Sequence, residues 1–209
     1  MTTTNNFLAA LMLFTISVCS AQTADQVKQQ SVGSWESIAP EIRPSTTGNP
    51  ENPLKPFYLL RKFSYAKDGT FDLIVVTNGD AYGKVPLARM SIKGHTEWRG
   101  DHPIAKGAQK VDFTADIEYT VTPLAQGLAD VCNKYTKGFN EWKIGETQSI
   151  LKRSFPPFGL TEGQLFKEYD LIYIFNGMMF WGARNIDGRG FDTEENRPTN
   201  LQIPMVKAR

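Results

Sequence analysis

The sequence predicts a mainly β chain whose antiparallel strands close into a β-barrel or a strongly curved sheet, with one helix in mid-chain. Three observations carry this. Val111 to Val121 alternates without a break, with Val111, Phe113, Ala115, Ile117, Tyr119 and Val121 apolar and polar residues between them, the pattern of a strand with one wet face. The dipeptides Asp68-Gly69 and Asn176-Gly177 each divide two runs rich in β-branched and aromatic residues, which is the hairpin signal. Helical spacing occurs in a single stretch, where Leu124, Leu128, Val131, Cys132 and Tyr135 follow Thr122 as N-cap and Pro123 at the first helical position, until Gly138.

In chain order, Phe7 to Val18 is an apolar stretch ending in the small residues Cys19-Ser20-Ala21, so residues 1–21 read as a secretory signal with cleavage before Gln22. The stretch is shorter than the ~20 residues of a membrane span. A lipoprotein anchor on Cys19 is the other reading, disfavoured by bulky Val18 just before it. Residues 22–209 are then one domain of a size able to bury a substantial core. Within it strands are expected over 33–38, 57–65, 70–76, 86–93, 96–99, 111–121, 141–151, 169–175 and 178–183. The hairpin turns are Lys67-Asp68-Gly69 and Asn176-Gly177, and the proline-bearing stretches 49–56 and 155–163 are loops.

Charge and chemistry-bearing residues narrow the function classes. With 23 Lys+Arg against 22 Asp+Glu and no run of either sign, nothing advertises nucleic acid or an acidic partner. Cleavage before Gln22 would leave Cys132 as the sole cysteine, so no internal disulfide forms and the core must supply the stability; Cys132 is either a buried small apolar residue or an exposed thiol. The two histidines, His95 and His102, stand seven apart, too far for the usual zinc pair. No nucleophile elbow, phosphate loop or Cys-x-x-Cys occurs, and the adjacent carboxylates Glu194 and Glu195 point apart. No catalytic residue, metal or cofactor is therefore assigned, and the chain is expected to be non-enzymatic.

The aromatic residues remain. Trp35, in the run Gly33-Ser34-Trp35, is expected to plug one end of the barrel, with an N–H that needs a partner and with the Arg184 guanidinium over its ring. Glu41 and Arg43 either pair to fix the turn after the first strand or stand as two solvated charges. The apolar faces of the best strands supply the candidate ligand-lining residues Phe63, Phe71, Leu73, Val75, Phe113, Ile117 and Tyr119. The apolar run Met178 to Trp181 gives its strand two hydrophobic faces, one of which is free to meet a ligand or partner.

Short blocks in fixed order add a resemblance. They are Gly33-x-Trp35-x-Ser37-x-x-Pro40-Glu41-x-Arg43-Pro44, Arg61-Lys62-Phe63, Asp80-x-x-Gly83-x-x-Pro86-Leu87, Gly107-Ala108, Thr122-Pro123, Trp142-x-x-Gly145, Glu168-Tyr169-Asp170-Leu171, Gly182-x-Arg184 and Arg197-Pro198-Thr199-x-Leu201. Together they resemble the APCDD1 (adenomatosis polyposis coli down-regulated 1) domain family across nearly all of residues 22–209. The resemblance implies a secreted, β-barrel-like, non-enzymatic protein that holds an apolar ligand or a lipidated protein; in animal relatives that partner is a lipid-bearing Wnt. The family pattern has cysteines where this chain has Pro40 and Gly83, so both halves of an implied disulfide are absent together. The animal proteins have two such domains and a membrane anchor, whereas a single domain without an anchor is expected here. The expected architecture is lipocalin-like, and a lipocalin-type small-molecule carrier is the alternative function. It shares the Gly-x-Trp opening, but its long helix typically lies near the C-terminus. An enzyme acting on lipids or glycans is the third reading, short of residues for the chemistry.

Overall fold

In a computed structural model, which describes residues 22–44 and 56–208, the chain is mainly β and eight antiparallel strands close into a barrel. The expected signal segment, residues 1–21, and all but the last residue of the loop expected over 49–56 lie outside the described residues. Helix α1 (Ala24–Ser31) comes first, started by a capping box in which Thr23 accepts from the Gln26 backbone and the Gln26 side chain reaches back to the Thr23 N–H. Then follow β1 (Gly33–Ser37), β2 (Glu41–Arg43), β3 (Phe57–Tyr65), β4 (Thr70–Asn78), β5 (Pro86–Asp101), β6 (Gln109–Pro123), α2 (Gln126–Tyr135), β7 (Gln148–Ser149), β8 (Phe166–Phe175), β9 (Met178–Trp181) and β10 (Met205–Lys207). The ring runs β1-β3-β4-β5-β6-β8-β9-β10 and returns to β1. Strand β2 lies outside this ring, pairing with the first residues of β3 while β1 pairs with the last.

Both hairpins form where the turn dipeptides place them. Gly69 has φ +88° and the Asp68 carboxylate accepts from the Thr70 N–H and hydroxyl, while Asn176 and Gly177 hold φ of +50° and +73°, as a type I′ turn requires. The runs expected as separate strands over 86–93 and 96–99 are one long strand. Its register against β6 shifts between Lys93 and His95, so that Ala115, Asp116 and Ile117 bulge opposite Gly94. A Cβ at Gly94 would stand 1.8 Å from the Thr114 carbonyl oxygen, so that crossing admits glycine alone.

Sheet pairing overrides the helix start expected at Thr122 and Pro123. Both residues stay in β6, Leu124 N–H donates to the Leu87 carbonyl to extend the ladder, and α2 begins only at Gln126. Of the strand expected over 141–151 only Gln148–Ser149 pairs. The stretch before it is a loop that the Asn133 side chain clamps, accepting from the Trp142 N–H and donating to the Trp142 carbonyl.

Candidate functional site

The barrel interior is the first place to look for a guest, and it is filled by the chain itself. Strand pairing lines up Trp35, Phe63, Leu73, Ile92 and Tyr119 across β1, β3, β4, β5 and β6, all of them buried. Phe63 lies at the centre, with ring centroids of Tyr65 at 4.2 Å, Trp181 at 4.3 Å and Phe71 and Phe113 at 5.3 Å. These are contact distances for stacked and edge-to-face rings, which leave no ligand-sized gap between them. A second aromatic group joins Tyr119 to Phe158 and Phe166 and continues through Phe155 to Phe139 and Trp142, under α2.

Of the seven candidate lining residues, Phe63, Phe71, Leu73, Val75, Phe113 and Tyr119 are buried in this packing, and Ile117 alone is open, at 50% exposure. The β6 bulge explains Ile117. It falls between the residues that pair with β8, which end at Ala115, and those that pair with β7, which begin at Thr120, so no strand among the described residues covers it on that side. Ile117 lines an open recess of about 410 Å³ with Gly33, Ser34, Ser64, Tyr65, Phe71 and Lys93. Lys93 sits 3.6 Å from Asp72 and 3.4 Å from Glu118, and the Ser34 and Ser64 hydroxyls meet at 2.7 Å. Near the same end, a crevice of about 20 Å³ between α1 and the β3–β4 turn is closed to anything larger than a water molecule.

Sequence reasoning missed a polar cluster inside the barrel. Glu41, on β2, accepts two hydrogen bonds from Arg61 at 2.7 and 2.6 Å, with both side chains almost fully buried. Ser37 donates to the same carboxylate at 3.1 Å and accepts from the Arg61 N–H, and the Arg61 guanidinium lies 4.0 Å from the centroid of Trp181. Glu41 thus pairs with Arg61 rather than Arg43. Arg43 is buried too, its guanidinium 5.1 Å from the Phe191 ring, and burial followed by the neighbouring Arg61 charge lowers its pKa.

Asp170, on β8, also points inward. Its Oδ1 accepts from the Leu171 and Gly182 N–H groups at 2.7 and 2.9 Å, while Oδ2 is buried without a partner among the described residues. Burial, reinforced by the Glu168 charge, pushes the carboxyl up to about 7 against the pull of the Leu171 N–H, Arg61 and Arg43. Gly182 has to be glycine, since a Cβ there would stand 2.1 Å from Pro198 Cγ and 2.5 Å from Asp170 Oδ1. The signal for this cluster was strand phase: Arg61 alternates in step with Phe63 and Tyr65, and Asp170 in step with Ile172 and Ile174.

Trp35 is buried, as expected of a plug, and its indole N–H donates to the Ser31 carbonyl at the end of α1 at 2.7 Å. The cation over its ring is Lys207, 4.8 Å from the centroid, which also donates to the Val32 carbonyl. Arg184 instead donates to the carbonyls of Gly188 and Arg189 in its own loop. Gly33, at φ +114°, supplies the backbone turn between α1 and β1. Cys132 lies on the buried face of α2, and burial pushes its thiol up to about 11. His95 pairs with Asp116 at 2.8 Å on the exposed face, and burial lowers the pKa of His102, whose Nδ1 accepts from the Ile104 N–H. No cluster of three or more His, Cys, Asp or Glu side chains placed to hold a metal occurs among the described residues.

Outside the barrel, Arg197 ties three segments together. It donates to the carbonyls of Val111 and Asp170 and to the carboxylates of Asp112 and Glu194, and Asp112 also holds Arg99 and Lys167. On the same side of the ring as β2, an ideal Cβ at Gly83 would stand 3.5 Å from Pro40 Cγ, so the two positions touch across about 40 residues of chain. A closed barrel of this kind is compatible with a lipocalin-like binding protein. No protein-family model matches the sequence, and no curated protein is similar enough to match it.

Proposed function

We propose that the chain is a secreted, non-enzymatic binding protein of the APCDD1 type that takes an apolar ligand or the lipid of a lipidated protein. The ligand is held at the barrel wall rather than in its centre. The observation that carries this reading is the open recess of about 410 Å³, where Ile117 is held exposed beside Tyr65 and Phe71 while Phe63, Leu73, Val75, Phe113 and Tyr119 are spent on packing the core. An exposed aliphatic side chain fixed by a bulge costs hydration, and covering it returns about 1–2 kcal/mol. The contact between Pro40 and Gly83 supports the family part of the reading, because the resemblance asks for a cysteine pair at those two places. Wnt-like partners belong to that resemblance alone.

Binding of the neutral fluorophore N-phenyl-1-naphthylamine, displaced by dodecanol, tests the proposal. Wild type is expected to bind saturably. Ile117→Asp is expected to weaken binding by about tenfold or more, since it removes the aliphatic contact and adds a charge that the ligand would have to desolvate. Its thermal melt stays that of wild type, because the side chain is half out of the fold. A wild-type protein that binds no apolar probe, or an Ile117→Asp protein that binds as wild type does, overturns the proposal.

A further inference from the structure

Among the described residues, four buried polar atoms of one region lack a well-formed hydrogen bond: Asp170 Oδ2, the Tyr65 hydroxyl, the Trp181 indole N–H and Arg43 Nε, with the Trp181 N–H close enough to the Tyr65 hydroxyl to act on it. They belong to one cluster, since Tyr65 and Trp181 pack on the same rings around Phe63 and the Tyr65 hydroxyl feels the charges of both Asp170 and Arg61. A buried carboxylate oxygen left unpaired is expensive, and its cost depends on whether the group carries a charge.

Every element packed about Asp170 leaves that cost standing. From its own strand comes Glu168, a like charge. From β3 come Arg61, already committed to Glu41, and Tyr65; from β2 comes Arg43, whose Nε is itself buried without a partner and whose charge favours the ionised carboxylate without bonding to it. Arg197 reaches the Asp170 carbonyl, not its carboxylate, and β9 contributes the Gly182 N–H to the oxygen that is already paired. Helix α1, packed beside β8, buries Val27 and Ser31 and no charged side chain.

Tyr65 is the link outward. Tyr65 lines both the recess beside Ile117 and the crevice next to α1, while its hydroxyl is buried within reach of the Asp170 and Arg61 charges and of Trp181. We propose that binding at the recess is proton-linked through Asp170, whose ionisation draws the Tyr65 hydroxyl inward as a donor to Oδ2 and deepens the recess that Tyr65 lines. This rests on the reading of the recess as the binding site. When Asp170 is protonated, its own O–H is a donor and Tyr65 is released. The carboxyl lifted by burial and by Glu168 places the change near neutral pH.

N-phenyl-1-naphthylamine is uncharged from pH 6 to pH 8 and serves as the probe. Wild type is expected to bind it about fivefold or more tightly at pH 8 than at pH 6, the low end of ordinary coupling between sites. Asp170→Asn keeps an acceptor for the Leu171 and Gly182 N–H groups but cannot ionise. Its binding is expected to be flat across this range, near the wild-type level at pH 6. Tyr65→Phe is expected to flatten the dependence as well, whatever its affinity. The carboxyl ¹³C shift of Asp170 in the wild-type protein gives its midpoint without any variant. Wild-type binding that is flat or weaker at pH 8, a slope that survives in Asp170→Asn, or a midpoint below about 5 overturns the inference. Absence of probe binding at every pH overturns the binding site itself.

Discussion

Replacing Pro40 and Gly83 together by cysteine should staple the entry segment of the barrel. An ideal Cβ at residue 83 lies 3.5 Å from Pro40 Cγ, with Pro40 Cβ more than 4 Å away, so a disulfide with its Cβ separation of about 3.5–4.5 Å needs the two segments to keep or slightly close this approach. The bond would close a loop of about 40 residues, for which the loss of chain entropy in the unfolded state amounts to about 4 kcal/mol at 25 °C. Two costs oppose it. Gly83 sits at φ +68°, where a side chain costs about 1 kcal/mol, and its new Cβ meets Leu60 Cδ1 at 3.2 Å. Losing Pro40 frees the unfolded chain by a further fraction of a kcal/mol. The oxidised double variant should therefore exceed wild type by about 2 kcal/mol, or about 4–8 °C in melting temperature for a domain of this size, and its reduced form should fall below wild type. The assay is differential scanning calorimetry with and without reductant, with intact mass to confirm loss of two hydrogens. Thiols that stay free under oxidising glutathione, or an oxidised form that melts no higher than the reduced one, would show that the two positions do not meet as described.

Asp170 and Gly94 give two further stability predictions. Because burial raises the Asp170 pKa to about 7 from 3.8, the folded state holds a proton that the unfolded state has released. Its contribution is complete below pH 4 and is lost as pH rises through 7, so wild type should lose about 3 kcal/mol relative to Asp170→Asn between pH 5 and pH 8. Parallel urea melts of the two proteins across that range would refute this. Gly94→Ala should destabilise by about 3 kcal/mol or more, because its Cβ would sit 1.8 Å from a backbone oxygen that can move only by opening the β5–β6 ladder; a loss under about 1 kcal/mol in chemical denaturation would sink the assignment of the bulge.

The barrel was legible where the physics is periodic. Strand β3 matches its expected bounds and β6 exceeds its own by two residues at each end, because alternation over nine or more residues leaves one face apolar and forces burial there. Strands β2 and β10 have three residues each, too few to show a period, and are recruited by their neighbours' free ladder groups. Helix α1 is mostly polar and buries only Val27 and Ser31, so no apolar stripe betrays it; Thr23 and Gln26 were its readable signal, as a capping box.

The candidate site was less legible for a different reason. Alternation says which side chains turn inward, not whether they meet one another or a guest. Phe113 and Ile117 share a phase on one strand, yet Phe113 is packed among rings and Ile117 is open, because the bulge opposite Gly94 and the gap between β8 and β7 intervene. Those depend on partners distant in sequence, which a single strand's pattern does not contain.

The interior charges also bear on how the entry segment finds its place without a covalent link. A buried pair such as Glu41 with Arg61 adds little net stability over apolar residues of the same size, because both groups lose water. Its effect on register is larger. Sliding β2 by one residue would turn Ile42, now exposed, toward Arg61 and move Glu41 out to solvent, leaving a buried guanidinium uncompensated at about 3–5 kcal/mol. Ser37 sharpens this, since it bridges the Glu41 carboxylate and the Arg61 N–H and so ties β1 to the same choice. With Pro40 and Gly83 in contact but unable to bond covalently, the ion pair under Trp181 is what makes one register of the three-residue strand β2 cheaper than its neighbours.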